Sequence, residues 1–180
     1  MKKVVLTFGV ISGLLSSAMM LMTVPFMDRI GFDRGEIIGY TAILASFLVV
    51  FFGVRSYREQ HGGILGFGRA FAVGLLIVLI SCGFYVATWE VIYFKMSPGF
   101  LDRYSAYAME KVRASGAGQQ AIDAKARELA QFRAMYANPF LNASMTFLEP
   151  FPVGFVVALV SAAVLRRRQP STPAAPEGAR

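Results

Sequence analysis

The chain has 180 residues, of which 56 % are hydrophobic and only 16 % are charged. A typical soluble domain is about 45–50 % apolar and about 25 % charged, so this composition favours a membrane protein. The net charge is +7, but the basic residues flank apolar segments, and this topological explanation argues against nucleic-acid binding. With one cysteine and one histidine, Cys82 and His61, the chain offers neither an internal disulfide nor a conventional zinc or Cys–His catalytic site.

Four apolar segments predict four transmembrane helices and hence an all-α membrane protein. Their approximate ranges are 4–26, 37–54, 70–94 and 142–165. Each is close to the 20 or so residues that cross a hydrocarbon core of about 30 Å, and in lipid such a span must be helical to satisfy its backbone. The first segment follows Met-Lys-Lys, as in a signal peptide, but its length and its lack of a small-residue cleavage site favour an uncleaved helix.

The segment between the third and fourth spans, about 99–137, is too polar to cross a membrane. Its aromatic residues at helical spacing, its break at 116–118 and the apolar stripe that follows predict an amphipathic helical hairpin. The hairpin is either a lid packed on the bundle or a surface that lies on the membrane or binds a partner. Residues 1–168 are then one transmembrane domain, and 169–180, rich in Pro and Ala, are a predicted disordered cytoplasmic tail.

Basic residues set the predicted orientation, because short cytoplasmic flanks carry an excess of Lys and Arg. Lys2 and Lys3 precede the first span, and further anchors flank the same side: Arg55, Arg58, Arg166, Arg167 and Arg168. Both termini are therefore predicted to be cytoplasmic, and the hairpin extracytoplasmic.

Several blocks, in the same order along the chain, resemble one bacterial family. They are MKKVVLTFGVISGLL, VVFFGVRSYREQHGGILGFGRAFAVGLLIVLI, YVATWEVIYF, the hairpin ASGAG…KARELAQFRAMYANP, and MTFLEPFPVGFVVALVSAAVLRRR. The chain resembles the domain of unknown function 4199 family of small four-span membrane proteins, from Lys2 to Arg168. The resemblance implies a bacterial inner-membrane location. It implies no activity, so no catalytic residue can be carried over.

Two carboxylates stand within or beside apolar segments and define a candidate polar site. Glu90 lies about 30 Å along a helix from Ala70, near the hydrocarbon boundary, and Glu149 lies about 24 Å from Leu165, a turn or so deeper on the same side. The two acids could face each other, with Glu36 near the same layer. Intramembrane acids are functional candidates by default; the alternative is that they face water, bond Tyr or Trp, or pair with a loop arginine.

Two prolines follow Glu149 directly and predict a broken helix. Pro150 and Pro152 would free the carbonyls of Thr146 and Leu148, and free carbonyls beside an acid can coordinate a cation or water. The alternative is a simple kink patched by neighbouring helices.

Other polar and small residues are interpreted structurally. Gly9, Gly13 and Ser17 form a stripe that predicts close helix packing, either inside the bundle or at a dimer face. Tyr85 and Trp89, with Tyr93, are interpreted as an interfacial aromatic belt.

Two functional hypotheses follow, and neither is an enzyme, because no nucleophile–base set or metal cluster is visible and no cofactor is predicted. In the first, the protein is an accessory or structural membrane protein that acts through helix packing and its outer hairpin, on a membrane-protein partner or a second copy. In the second, it is a small transporter or ion-coupled protein that uses Glu90 and Glu149.

Overall fold

The structure, a computed structural model, describes residues 1–166, and every element in this range is helical. The helices are α1 (Lys2–Thr23), α2 (Met27–Ile30), α3 (Phe32–Glu59), α4 (Phe67–Val91), α5 (Phe100–Ala114), α6 (Gln119–Tyr136), α7 (Pro139–Leu148) and α8 (Phe151–Leu165). A 3-10 turn joins α1 to α2, and a π-helical turn, Ile92–Met96, extends α4. The predicted all-α fold class is confirmed.

Four continuous stretches are long and apolar enough to cross a membrane. They are Lys2–Ile30, Phe32–Glu59, Phe67–Met96 and Pro139–Leu165. With 27 to 30 residues each, they are about 40–45 Å long and exceed a hydrocarbon core of about 30 Å. The helices run past the apolar segments because polar residues continue them. For example, α3 begins at Phe32 with Asp33 in its first turn, where the helix dipole favours a carboxylate.

The bundle is arranged so that α1 and α8 each pack against both α3 and α4. Gly13 permits the close approach of α1 to α4, because a Cβ built there would lie 2.6 Å from Cγ of Phe84. Gly9 is equally crowded by α4, and Ser17 accepts a hydrogen bond of 2.7 Å from Thr88 Oγ1 of α4. The small-residue stripe therefore packs inside the bundle.

The two ends of the bundle differ. At the termini end, where α1 begins and α8 ends, an apolar core includes fully buried Val50, Val54, Val73, Ala158 and Ala162. Lys2, Lys3, Arg55, Arg58 and Arg166 belong to this end. Arg167, Arg168 and the predicted tail 169–180 lie outside the described residues.

At the hairpin end, α5 and α6 pack on each other and fold against the start of α3. The ring of Phe32 contacts Phe100, Tyr104 and Tyr107 at centroid distances of 5.9, 5.7 and 5.0 Å. Ion pairs join Arg103 to Asp28 (3.2 Å) and Lys111 to Asp33 (2.6 Å), and Arg133 of α6 pairs with Asp102 of α5. The predicted helical hairpin is thus present and packs as a lid on this end.

Candidate ligand-binding cavity

A cavity of about 760 Å³ lies between the hairpin and the hairpin end of the bundle. The hairpin contributes Leu101, Tyr104, Lys111 and Phe132 among others, and α1, α3, α4 and α7 supply the remaining walls. The cavity exists because α3 packs against α8 but makes at most marginal contact with α7. The two halves of the fourth span therefore differ, and only its α8 half closes the bundle.

Glu149 lies in the cavity wall at the junction of α7 and α8. Its Oε2 accepts a hydrogen bond of 3.1 Å from the hydroxyl of Tyr85 on α4. Counting along the helices places Glu149 about 24 Å from Leu165 and about 15 Å from Pro139, well inside the fourth span. The tyrosine bonds one carboxylate oxygen, and the other has no hydrogen-bond partner among the described residues.

The helix break beside Glu149 is a kink with nearly helical backbone. Backbone angles (φ, ψ) are −68° and −58° at Glu149 and −80° and −25° at Pro150, so the chain does not unwind there. Pro150 is fully buried and Pro152 is exposed. The geometry therefore matches the alternative of a simple kink, and the binding groups here are side chains rather than a cage of free carbonyls.

Glu36 lines the same cavity from α3, whereas Glu90 does not belong to its lining among the described residues. Glu90 is half-buried on α4, five positions after Tyr85, which places the two side chains about 140° apart around the helix. The Oε1 atom of Glu90 is buried without a hydrogen-bond partner in the described part of the chain. The structure thus brings Glu36 and Glu149 together and leaves Glu90 apart.

A buried asparagine orients the aromatic wall. The Oδ1 atom of Asn142, whose side chain is fully buried, accepts hydrogen bonds from Trp89 Nε1 (2.9 Å) and Thr146 Oγ1 (3.2 Å). Trp89 lines the cavity, as does Tyr85 on the same helix, and the interfacial belt of Tyr85, Trp89 and Tyr93 stays a prediction. Sequence reasoning missed Asn142; the available signal was a pair of polar residues at i, i+4 spacing inside an apolar segment.

Beneath the residues that line the cavity, hydroxyl groups form a floor in the middle of the bundle. Ser12 Oγ donates to the Ser46 carbonyl at 2.8 Å and lies 3.0 Å from Ser81 Oγ, so one buried group links α1, α3 and α4. The adjoining space beside Ser46, Ser81 and Pro150 cannot hold a water molecule. Within the described residues, the cavity therefore ends here and does not reach the termini end.

Neighbouring groups shift the pKa values of two hairpin residues, Lys111 and Tyr136. The hydrogen bond to Asp33 raises the pKa of Lys111, and burial, followed by the nearby Glu149 carboxylate, raises the pKa of Tyr136. At neutral pH, Lys111 is therefore a cation and Tyr136 a neutral phenol.

Comparison with known proteins identifies the family of the chain but no function. No curated protein and no solved structure matches the chain. A family model described as "Protein of unknown function (DUF4199)" matches residues 7–167, which confirms the resemblance stated from the sequence. The chain, a protein with four helices suited to membrane crossing, belongs to the DUF4199 family.

Proposed function

We propose that this protein binds a small amphipathic molecule in the cavity beneath its hairpin, as a transporter or ion-coupled membrane protein. The observation that carries the proposal is the cavity itself. Its volume of about 760 Å³ lies within the range of about 300–1,000 Å³ typical of ligand sites, and its wall combines aromatic rings with acidic, basic and hydroxyl side chains. In this proposal, Glu149 has the role that the transporter hypothesis assigned jointly to Glu90 and Glu149.

The proposed location is a bacterial inner membrane, with both termini in the cytoplasm. Support comes from the basic residues, since the termini end carries Lys2, Lys3, Arg55, Arg58 and Arg166, and short cytoplasmic flanks are enriched in Lys and Arg. In this orientation the cavity faces the extracytoplasmic side.

A cavity at one end and a packed core at the other is the arrangement expected of one state of an alternating-access carrier. The proposed carrier would release its ligand to the other side only after the serine contacts at the floor separate. That the protein is not an enzyme stays a prediction from the sequence.

An accessory role, exerted on a membrane-protein partner or a second copy, is the second candidate. It is favoured by α6, which buries only Leu129 and leaves most of its charged side chains at the surface. A partner would contact that surface, and its binding would not depend on the cavity.

The chain offers an internal reporter for ligand binding. Trp89 is its only tryptophan and lines the cavity. A test uses the purified full chain in neutral detergent, with energy transfer from Trp89 to the uncharged amphipathic dye phenylnaphthylamine as the readout. We expect a saturable signal above the signal from dye in micelles.

Two glycine substitutions make the test specific for the cavity. Gly39 lines the cavity and Gly83 lies on the outside of α4, and a Cβ at either position meets nothing within 4 Å. Gly39→Phe should abolish the saturable signal because its ring projects into the cavity and competes with the dye for the wall, whereas Gly83→Phe should retain the signal. Equal signals from both variants, or no saturable signal from the unsubstituted chain, would overturn the proposed function.

A further inference from the structure

We infer that the ligand of this cavity is a hydrophobic cation, a molecule with an apolar body and a positively charged nitrogen or phosphorus centre. The inference rests on the proposed function, because it names the chemical class of the molecule that the cavity would bind.

The charge balance of the cavity wall is the first argument. Five acidic or basic side chains line the cavity: Asp33, Glu36, Lys111, Lys125 and Glu149. Both lysines already have partners, since Lys111 pairs with Asp33 at 2.6 Å and Lys125 pairs with Glu128 at 2.8 Å. Glu36 and Glu149 have no cationic partner among the described residues. The groups of the wall that remain without an ionic partner are therefore both acids.

The position of Glu149 makes a cationic ligand more favourable. An unpaired carboxylate within a membrane span is expensive, and Tyr85 supplies only one hydrogen bond to it. A ligand cation in the cavity would compensate this charge, whereas an anion would add to it. Glu36 on the facing helix α3 would attract the same cation at the entrance.

The aromatic rings of the wall favour an apolar, weakly hydrated cation. Tyr40, Tyr85, Trp89, Tyr104 and Tyr136 all line the cavity, and such rings attract cations that approach their faces. Lys111 already lies over the Tyr107 ring, 5.7 Å from its centroid. A hydrated inorganic ion fits less well, because Ca²⁺ and Mg²⁺ require about six or more oxygen ligands, and the kink beside Glu149 keeps helical backbone angles.

A pair of probes with the same shape and opposite charge tests this inference. Tetraphenylphosphonium and tetraphenylborate are compared by equilibrium binding to the full chain in neutral detergent, with Gly39→Phe measuring the non-specific background. We expect specific binding of tetraphenylphosphonium to be at least about tenfold tighter than that of tetraphenylborate, a difference of about 1.4 kcal/mol.

Three carboxylate substitutions identify the residues responsible. Glu149→Gln should weaken tetraphenylphosphonium binding by about tenfold and remove the charge preference, while its amide oxygen can still accept the Tyr85 hydrogen bond. Glu36→Gln, at an exposed position, should weaken binding to a smaller extent and keeps the test valid if Glu149→Gln fails to fold. Glu90→Gln is the matched control and should leave binding unchanged.

The outcomes separate this inference from the proposed function. Equal or tighter binding of tetraphenylborate, still abolished by Gly39→Phe, would overturn the cation inference and leave the ligand cavity standing. A preference for the cation that survives Glu149→Gln and Glu36→Gln together would also overturn it. If Gly39→Phe changes the binding of neither probe, the cavity is not the binding site and both proposals fail.

Discussion

The two ends of this bundle are built from the same four spans but differ in how closely their helices pack. At the termini end, Gly74 and Ala158 meet in close contact, since a Cβ at Gly74 would lie 3.1 Å from that of Ala158, and the surrounding core is fully buried. At the hairpin end, aromatic and ionisable side chains surround an open volume of about 760 Å³. Small residues bring helices together, whereas large rings and a kinked fourth span keep them apart.

The difference indicates where stability and binding reside. Packing of small and apolar residues is expected to supply most of the stability at the termini end, because lipid provides no hydrophobic drive for helices to associate. Among residues 1–166, the hairpin end holds two acids without a cationic partner, Glu36 and Glu149, and an unfilled volume, and functional sites often contain such features. Substitutions at the two ends should therefore differ in their consequences.

The largest effect is expected when the same substitution is made at a glycine of the packed core and at a glycine of the cavity wall. A Cβ at Gly154 would lie 2.5 Å from Val78 Cγ1 and 2.8 Å from Phe47 Cζ, so Gly154→Leu should destabilise the protein by at least the 1–3 kcal/mol or so that overpacking usually costs. Gly39→Leu, which meets open space, should be neutral or slightly stabilising. Thermal unfolding in detergent measures both, and equal losses would contradict the contrast between the ends.

The next effect concerns the polar contact that holds the cavity wall. Asn142→Leu removes the acceptor of the Trp89 N–H, and an unsatisfied buried donor costs about 1–3 kcal/mol. Adding Trp89→Phe should recover much of the loss, because the donor disappears as well. A double-mutant cycle on unfolding free energies tests this coupling, and simple additivity of the two changes would show that the hydrogen bond does not stabilise the wall.

A smaller effect is expected from the serine cluster at the cavity floor. Ser12→Ala removes contacts to both α3 and α4 and should cost about 0.6 kcal/mol, with an upper limit near 1.7 kcal/mol, as other hydrogen bonds between membrane helices do. Thr41→Ala is the control, because its hydroxyl bonds only to the Ile37 carbonyl of its own helix. A loss as large for Thr41→Ala would remove the argument for an interhelical contribution.

The smallest effect on stability is expected from the ion pair between the hairpin and α3. The side chains of Lys111 and Asp33 are 64 % and 63 % exposed, so water and salt screen the pair, and Lys111→Met should leave the unfolding midpoint unchanged. The variant should instead increase hydrogen exchange in α5 at low salt. A large drop in the midpoint would mean that the lid, rather than the packed end, holds the fold together.

The same pair predicts little dependence on pH in the neutral range. Asp33 raises the pKa of Lys111, so any stability from the lysine charge is complete below the unfolded value of about 10.4 and is lost only as the pH rises through the higher folded value. The hydrogen exchange of α5 should therefore show no increase from opening of this pair between neutral pH and the unfolded lysine value. An increase in that range, after correction for the intrinsic exchange rate, would contradict this assignment.

The sequence was sufficient for the spans because a run of about 20 apolar residues has one stable arrangement in lipid. The hairpin was also predictable, since its apolar stripe follows a helical period. The ends of the helices were less predictable than the spans. Helix α3 begins at Phe32 rather than near Ile37, because its charged first turn lies outside the apolar segment and still continues the helix.

The site was only partly predictable, because a cavity depends on how helices diverge. Glu149 and Glu36 were identifiable as acids at the right depth, but the rotation of α4 that removes Glu90 from the cavity could not be obtained from depth alone. Tyr85 was interpreted as a belt residue, although a bond from Tyr to one of the acids was among the alternatives, and Asn142 was missed for a related reason. Their roles depend on facing α7 and α4, respectively, and the apolar pattern of a membrane helix does not specify its neighbours.

The central claim is that one end of the bundle is open to water and the other is packed, and cysteine accessibility in intact cells tests it most directly. In a Cys82→Ala background, Gly39→Cys places a thiol in the cavity wall, whereas Leu44→Cys, on the same helix and 55 % exposed, places one outside the cavity lining. We expect a membrane-impermeant maleimide added outside the cells to label Gly39→Cys and to spare Leu44→Cys. Failure to label Gly39→Cys, or labelling only from the cytoplasmic side, would contradict an extracytoplasmic cavity in this protein.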